Sequence, residues 1–523
     1  MEARGALSLR RVGVGSLRPR CTPLSFPPSS PLLRCPHPSP SPRPHPFPEF
    51  GSEKHGIDAF TPCICDPNSL RDWGDAGSWS RGVGSGQAGG GWQNGAVTEL
   101  PAPLAELEAF FAQLSREPDF DAPELQAYDA ADLLLLQTAL EWHDPAGRAC
   151  RDQGAVADHL DKLDDRSGVS PDPVSGSARF AKNGAVVTIG DRHGALTLGA
   201  AKLLGATGIK VHQDPVLFER ALAANAERLG LGDDPTSVFT HHPLGEQLLI
   251  GAKLVLLQLP KSLAELEEIS HSVARYADPD VVLLAGGRDK HMSRGMNELL
   301  ARHFEDVSAG LGWRKARVLT ARSPKTAAVL GAAPFPRFAG DPDLRFQMAA
   351  FGATFGGATL DHGSRLLLRT LREQLPAAAP KRVVDIGCGN GVLAVSAALE
   401  WPEAQVIASD QSLAAVRATL LTAQRAGVDG RVAVHRADAT EAVPDGWADL
   451  VLLNPPFHTG STVHVGVGQR LIRACARALA PGGELLLVFN THLGYRQLVE
   501  REIGPTRQLA RDRTFTVLAA TRR

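Results

Sequence analysis

The stretch VLLNPPFHTG, Val451 to Gly460, places an asparagine, two prolines and a phenylalanine directly after an apolar run. Proline has a fixed φ and no N–H, so a strand must stop there and the backbone beyond Asn454 is stiff. The side-chain oxygen of Asn454 and the rigid carbonyl of Pro455 can accept both hydrogens of one planar NH2 group. Such an amine is a weak nucleophile because its lone pair is delocalised. Two fixed acceptors orient it and stabilise the positive charge that builds as it attacks an electrophilic methyl carbon. Pro456 holds the turn, and Phe457 offers a flat face to a splayed-out base. The plainer use of these residues is a polar turn followed by a core phenylalanine.

A second motif lies upstream. VVDIGCGNGVL carries Asp385, Gly387, Gly389 and Gly391 at the end of a β-rich run and the mouth of a helical one. Glycines there permit a tight turn and let backbone approach a ligand. The spacing is not G-x-G-x-x-G, which argues against a pyrophosphate dinucleotide. Asp410 ends the next β-rich run, where a carboxylate can hold ribose hydroxyls. Asp438, in RADAT, ends the third and could reach an adenine edge. Either aspartate alone could equally be a helix N-cap. Together with Asn454 they outline an adenosine-shaped site at the carboxyl ends of parallel strands. His458 and His464 are expected to shape the pocket, and Cys388 to fill a small buried space. No metal site is expected, because Cys63 and Cys65 have no second Cys/His pair at suitable spacing.

These residues need a scaffold, and the chain spells it twice. RVVDIG, AQVIASD, RVAVHRAD, ADLVLLNPP and GELLLVFN alternate with helical stretches, as a parallel sheet with crossover helices requires. AVVTIG, GIKVHQD, AKLVLLQLP and DVVLLAG do the same earlier. AVVTIGDRHGAL, from Ala185, aligns with RVVDIGCGNGVL, from Arg382, at an offset of 197; AKLVLLQLPK aligns with ADLVLLNPPF at 196, and Asp214 falls opposite Asp410. The spacing therefore predicts an α/β protein of two tandem Rossmann-like domains. The first copy has Thr188 for Asp385, Arg192 for Gly389, His193 for Asn390 and Lys261 for Phe457. Arg192 is expected to fill the space a cofactor needs, leaving that copy inert. Its Lys253, Lys261, Arg288, Lys290, Arg314, Lys315 and Arg317 suggest either RNA positioning or a purely structural surface.

Expected boundaries follow. Residues 1–98 form an extension, 99–180 a helical lead-in and linker, 181–335 the inert domain and 345–523 the catalytic one. Positions 21 to 50 hold 11 prolines, and the first 50 residues hold seven arginines, no lysine and two acids. Such a segment buries too little apolar surface to fold, so it is expected to be disordered. It resembles an organellar transit peptide, or upstream sequence joined by an early start codon. Residues 101–180 hold 16 acidic and 6 basic residues against 13 and 16 in residues 381–523. The C-terminal part is thus the half compatible with a phosphate-bearing partner. Seven scattered cysteines suit a reducing compartment, and no apolar run is long enough to span a membrane.

The two motifs together resemble class I S-adenosylmethionine-dependent methyltransferases carrying N-P-P-[FY]. FGGATLDHGSRLLLRTL, DIGCGNGV and NPPFH are similar to the ribosomal RNA guanine-N2 methyltransferases, a family of two tandem methyltransferase-like domains. LQAYDAADLLLLQ, LPKSLAELE and WRKARVL are most similar to the large-subunit (23S) branch, with the small-subunit (16S) branch next. The resemblance covers roughly residues 120 to 523. It implies S-adenosyl-L-methionine as cofactor, bound only by the C-terminal copy, ribosomal RNA as partner, a cytoplasmic setting, and a guanine that is unpaired or flipped out. Adenine N6 and a protein glutamine amide are also planar nitrogens served by this motif. A non-catalytic RNA-binding assembly factor is a further alternative. The tandem architecture and LDHGSRLLL favour guanine.

Overall fold

The computed structural model describes residues 102–119, 125–143, 180, 183–231, 238–374, 379–456 and 465–523. The extension 1–98 and most of the expected linker lie outside these residues.

Seven strands form the first sheet: β1 (Val186–Ile189), β2 (Ile209–His212), β3 (Phe239–His241), β4 (Leu254–Gln258), β5 (Val282–Arg288), β6 (Phe304–Ala309) and β7 (Ala316–Pro324). A short pair, β8 (Arg337–Gly340) and β9 (Gln347–Ala350), follows. The second sheet holds β10 (Arg382–Ile386), β11 (Gln405–Asp410), β12 (Val432–Arg436), β13 (Ala448–Leu453), β14 (Leu479–Asn490), β15 (Thr506–Arg511) and β16 (Phe515–Thr521). The orders are β3-β2-β1-β4-β5-β7-β6 and β12-β11-β10-β13-β14-β16-β15, one topology used twice. Within the two seven-stranded sheets only β7 and β16 run antiparallel to their neighbours. Central strands are apolar on both faces because helices cover both: Val383, Val384 and Leu450 to Leu453 are all buried. Strand order reverses between β10 and β13, which opens a crevice at their carboxyl ends, where doubly wound sheets bind ligands.

The repeat reaches further back than the strands. Helix Ala130–His143 packs Leu133, Leu135 and Leu136 into one core with Val186, Leu254 and Leu284. Helix His362–Glu373 packs Leu366, Leu367, Leu368 and Leu371 with Val383, Leu452 and Leu486 in the same manner. Aspartates start both helices, Asp129 and Asp361, at an offset of 232. Thr138 and Thr370 each donate Oγ1 to the carbonyl four residues back, at 2.8 Å. The lead-in helix thus serves the first sheet as helix 362–373 serves the second.

The two copies meet through equivalent segments. Pro215 and Ser412 form an antiparallel bridge. Val216 N donates to Gln411 O at 2.9 Å, and Leu413 N to Asp214 O at 3.0 Å. Asp214 then caps the helix of the other copy, its Oδ1 accepting Ala414 N at 2.8 Å. A bidentate pair joins Arg220 to Glu441 at 2.7 and 2.8 Å, and Arg436 pairs with Glu219 at 2.7 Å.

Candidate active site

Strand β10 ends at Ile386 and the chain turns through Gly387, Gly389 and Gly391 into helix Val392–Glu400. All three glycines lie in the left-handed region, at φ +72, +56 and +81. A Cβ on Gly387 or Gly389 would meet nothing within 4 Å, whereas one on Gly391 would lie 2.9 Å from Thr419 Cα. Gly391 therefore serves helix packing, and the open space over Gly387 and Gly389 is a cradle a ligand can enter.

Asp385 sits beneath this turn. Its Oδ2 accepts Ala394 N at 2.9 Å while its Oδ1 is buried without a partner among the described residues. Burial, reinforced by the charge of Asp410, pushes its carboxyl up to about 7. Asp410 closes β11 and braces the turn, with Oδ2 accepting Gly389 N at 3.0 Å and Oδ1 accepting Ser412 N at 2.9 Å. Burial raises its carboxyl too, against those backbone hydrogen bonds. Asp438 lies two residues past β12, and Arg470 holds its carboxylate.

Asn454 follows β13, level with the glycine turn, since Ile386 pairs with Leu453. Its Nδ2 donates to Asp361 Oδ1 at 3.2 Å and to Ser364 Oγ at 3.0 Å, and its Oδ1 has no partner among the described residues. Asp361 also N-caps helix 362–373 through Ser364 N at 3.0 Å, a contact worth about 1 kcal/mol. Gly363 packs closely here, since a Cβ would stand 3.2 Å from Asp361 Oδ1 and 3.3 Å from Asn454 Oδ1 and would press on both side chains. Pro455 is buried behind the asparagine and Pro456 is exposed. Phe457, His458 and His464 lie outside the described residues.

Asp361, Ser364 and Asn390 border the candidate site and were not among the residues expected there. Asn390 ties the glycine turn to the preceding segment, donating Nδ2 to Gly357 O at 3.0 Å and Thr359 O at 2.9 Å. The available signal was LDHGS itself, an N-cap aspartate with a serine three residues on. Cys388 is buried as expected and accepts from Thr419 Oγ1 at 3.2 Å.

The first copy shows the same frame with other chemistry. Gln258 stands where Asn454 does, and its Nε2 donates to Asp132 Oδ1 of the lead-in helix at 2.7 Å. Arg192 is exposed and does not take a positive φ. It does not pack into the turn as expected. The change lies one residue earlier: Asp191 Oδ1 and Oδ2 accept Gly194 N at 3.0 Å and Thr197 N at 2.8 Å, occupying the helix N-terminus. His193 is buried against Ala127 O and Asp119, each at 3.1 Å.

Comparison with known proteins bears on both halves. The Methyltransferase small domain model matches residues 345–519, and the RLMG N-terminal domain model residues 175–325. The Ribosomal RNA large subunit methyltransferase G of Streptomyces avermitilis is 31% identical over 421 residues, 78% of this chain and 97% of the relative. That of Pseudomonas putida strain W619 is 31% identical, covering 80% of this chain and 99% of its own. Among solved structures, the Thermus thermophilus 16S rRNA N2 methyltransferase RsmC, in complex with AdoMet and guanosine, shares the fold. Its TM-score is 0.54 at 23% identity, over 65% of this chain and 89% of that one. With nearly the full length of these relatives matched, the chain belongs to the ribosomal RNA large subunit methyltransferase G family.

Proposed function

We propose that this protein transfers a methyl group from S-adenosyl-L-methionine to the exocyclic N2 of one guanine in ribosomal RNA, the 23S molecule in preference to the 16S. The observation that carries this reading is the amide of Asn454. Its NH2 is consumed by Asp361 and Ser364, which leaves Oδ1 as an acceptor with no partner among the described residues. A buried acceptor left unmatched is costly, and a donor on the substrate relieves that cost.

The residues fit the cofactor. Open space over Gly387 and Gly389 admits its methionine part, Asp410 stands at the strand end where ribose hydroxyls are held, and Asp438 closes the adenine side. When bound, the cofactor supplies an electrophilic methyl group on a sulfonium. Asn454 Oδ1 and the Pro455 carbonyl grip the two N2 hydrogens and aim the nitrogen lone pair. Both acceptors strengthen as positive charge develops at N2, so they act on the transition state more than on the bound base. As the N–C bond forms and the C–S bond breaks, the sulfur takes the electron pair and N2 later loses one proton. Phe457 follows directly in sequence and supplies the stacking face. The target base must leave its helix to reach this position. Cytoplasm, where ribosomal RNA is assembled, is the compartment that suits this reaction.

The test is mass-spectrometric mapping of N2-methylguanine in both large ribosomal RNAs, from cells with and without the gene. One 23S guanine loses its methyl group on deletion, and purified protein with S-adenosyl-L-methionine restores it. A full complement of N2-methylguanine in the deletion strain would sink the assignment.

A further inference from the structure

Asp361 uses one of its two carboxylate oxygens inside the protein. Oδ1 accepts Ser364 N at 3.0 Å and Asn454 Nδ2 at 3.2 Å, while Oδ2 accepts no hydrogen bond from a described residue. The side chain is half-buried, whereas Gly363 and Ser364 just beyond it are buried. Oδ2 is therefore an acceptor that a ligand can still reach. The neighbouring imidazole does not occupy it, since exposed His362 meets Asp512 through Nε2 at 2.9 Å.

What stands beside this carboxylate gives its free oxygen a use. A Cβ on Gly363 would lie 3.2 Å from Asp361 Oδ1 and 3.3 Å from Asn454 Oδ1, so the carboxylate and the amide oxygen flank one narrow gap. Asn454 Oδ1 is the acceptor assigned above to the target amine. In guanine that amine is flanked, in the base plane, by the N1–H donor and the N3 acceptor. With both N2 hydrogens taken by Asn454 and Pro455, a group next to Asn454 meets one of these two. A carboxylate repels the N3 lone pair. It attracts N1–H, through a charge-assisted hydrogen bond roughly twice as strong as a neutral one.

The first copy is closed at this point. Its carboxylate toward the strand-end amide is Asp132, which matches Ser364 and is 1% exposed. Both of its oxygens are engaged, Oδ2 with Asp129 N at 2.8 Å and Oδ1 with Gln258 Nε2 at 2.7 Å. Asp129, which matches Asp361, turns its Oδ1 to Ala131 N at 2.7 Å. A reachable carboxylate that also holds the strand-end amide thus distinguishes the second copy.

We propose that Asp361 is the residue that selects guanine, its Oδ2 accepting the base N1–H while Asn454 and Pro455 hold N2. This rests on the guanine-N2 reading above and adds the orientation of the base, with its N1 side toward the start of helix 362–373. Adenine is refused, because its N1 would set a lone pair against the carboxylate. The contact also favours the reaction. As N2 bonds to the methyl carbon, positive charge spreads over N1, C2 and N2, and the hydrogen bond from N1–H strengthens with it.

The test uses the full chain and two synthetic RNAs spanning the mapped 23S guanine, one with guanine and one with 2-aminopurine at that position. 2-Aminopurine keeps the N2 amine but presents a lone pair at N1. Asp361→Asn keeps an N-cap oxygen toward Ser364 and Asn454 and places an NH2 where Oδ2 stood. The ratio of single-turnover efficiencies, guanine over 2-aminopurine, falls by roughly 10- to 100-fold in this variant, the effect of one hydrogen bond to a charged group. Contacts to O6 are absent from 2-aminopurine in every enzyme, so they cancel between variants. Ser364→Ala, which loosens Asn454 without altering the N1 side, slows both RNAs alike and keeps the parental ratio. Where Asp361→Asn transfers too slowly to time, displacement of the fluorescent 2-aminopurine RNA by the guanine RNA yields the same ratio as affinities. A parental ratio in Asp361→Asn, or an equal change in Ser364→Ala, overturns the assignment and leaves the methyltransferase reading intact. A parent chain that methylates neither RNA overturns that reading as well.

Discussion

Asp361 Oδ1 lies 3.2 Å from Asn454 Nδ2, across 93 residues of sequence. This contact decides which way the asparagine amide faces. An ionised carboxylate only accepts, and Asp361 already accepts Ser364 N, so the group turned toward it must be the NH2. The amide oxygen is thereby directed elsewhere. In the first copy the lead-in helix also meets the strand-end amide, Asp132 Oδ1 accepting from Gln258 Nε2 at 2.7 Å, but from the position that matches Ser364, with the longer side chain and no prolines following at once.

Removing the amide tests its share in the reaction. Asn454→Ala lowers single-turnover methyl transfer by roughly 10²–10³, the usual effect of losing one preorganised electrostatic partner. Calorimetric affinity for S-adenosyl-L-methionine stays within about twofold, because the interaction belongs to the transition state. Parental transfer rates in this variant would make Asn454 a turn-former only.

Exchange of the pair separates orientation from mere presence. Asn454→Asp sets two carboxylates about 3 Å apart, where one is forced to hold a proton, and activity collapses. Adding Asp361→Asn restores a donor facing an acceptor, and transfer recovers at least about tenfold over the single variant. Ser364→Ala removes the second restraint, and the loss of one hydrogen bond, about 0.5–1.5 kcal/mol, appears as a fall in kcat of roughly 2- to 10-fold. Its melting temperature stays near the parental value.

Cofactor is expected to bind once per chain. Gly389 at φ +56 has open space above it, so Gly389→Arg strains the backbone by only about 1–2 kcal/mol while its side chain enters the cradle. Titration calorimetry gives a stoichiometry of one for the parent and no binding for the variant, with a cooperative thermal transition retained. Two sites per parent chain would contradict the assignment of one inert copy.

Asp385 links stability to pH. Its folded carboxyl is raised to about 7, above its unfolded value, so between these the native state holds a proton the unfolded chain has released. The share of stability due to Asp385 therefore falls as pH rises through roughly 4 to 7, and is level above. Asp385→Asn flattens this dependence by up to about 1.4 kcal/mol per pH unit, read from urea unfolding across that window. Glu265 and Asp132, both raised to about 8, contribute in the same direction and remain in the variant.

Local and repeated features were legible without coordinates. The glycine turn, Asp410 and Asn454 each sit at the end of an apolar run, and a strand end is a local event written in neighbouring residues. Two copies of one strand–turn–helix order, offset by 196 to 197, foretold two sheets because the crossover rule leaves few ways to wind them. The third register, Asp129 with Asp361, escaped because the spacer between helix and first strand differs: 41 residues lie between His143 and Ala185, and 8 between Glu373 and Arg382. Tertiary structure alone decided the rest. Asp361 and Asn454, and Asp214 and Ala414, are brought together by strand order and crossover helices, and such proximity leaves no periodic trace in either partner's own stretch. The way Asn454 faces is a property of those meetings.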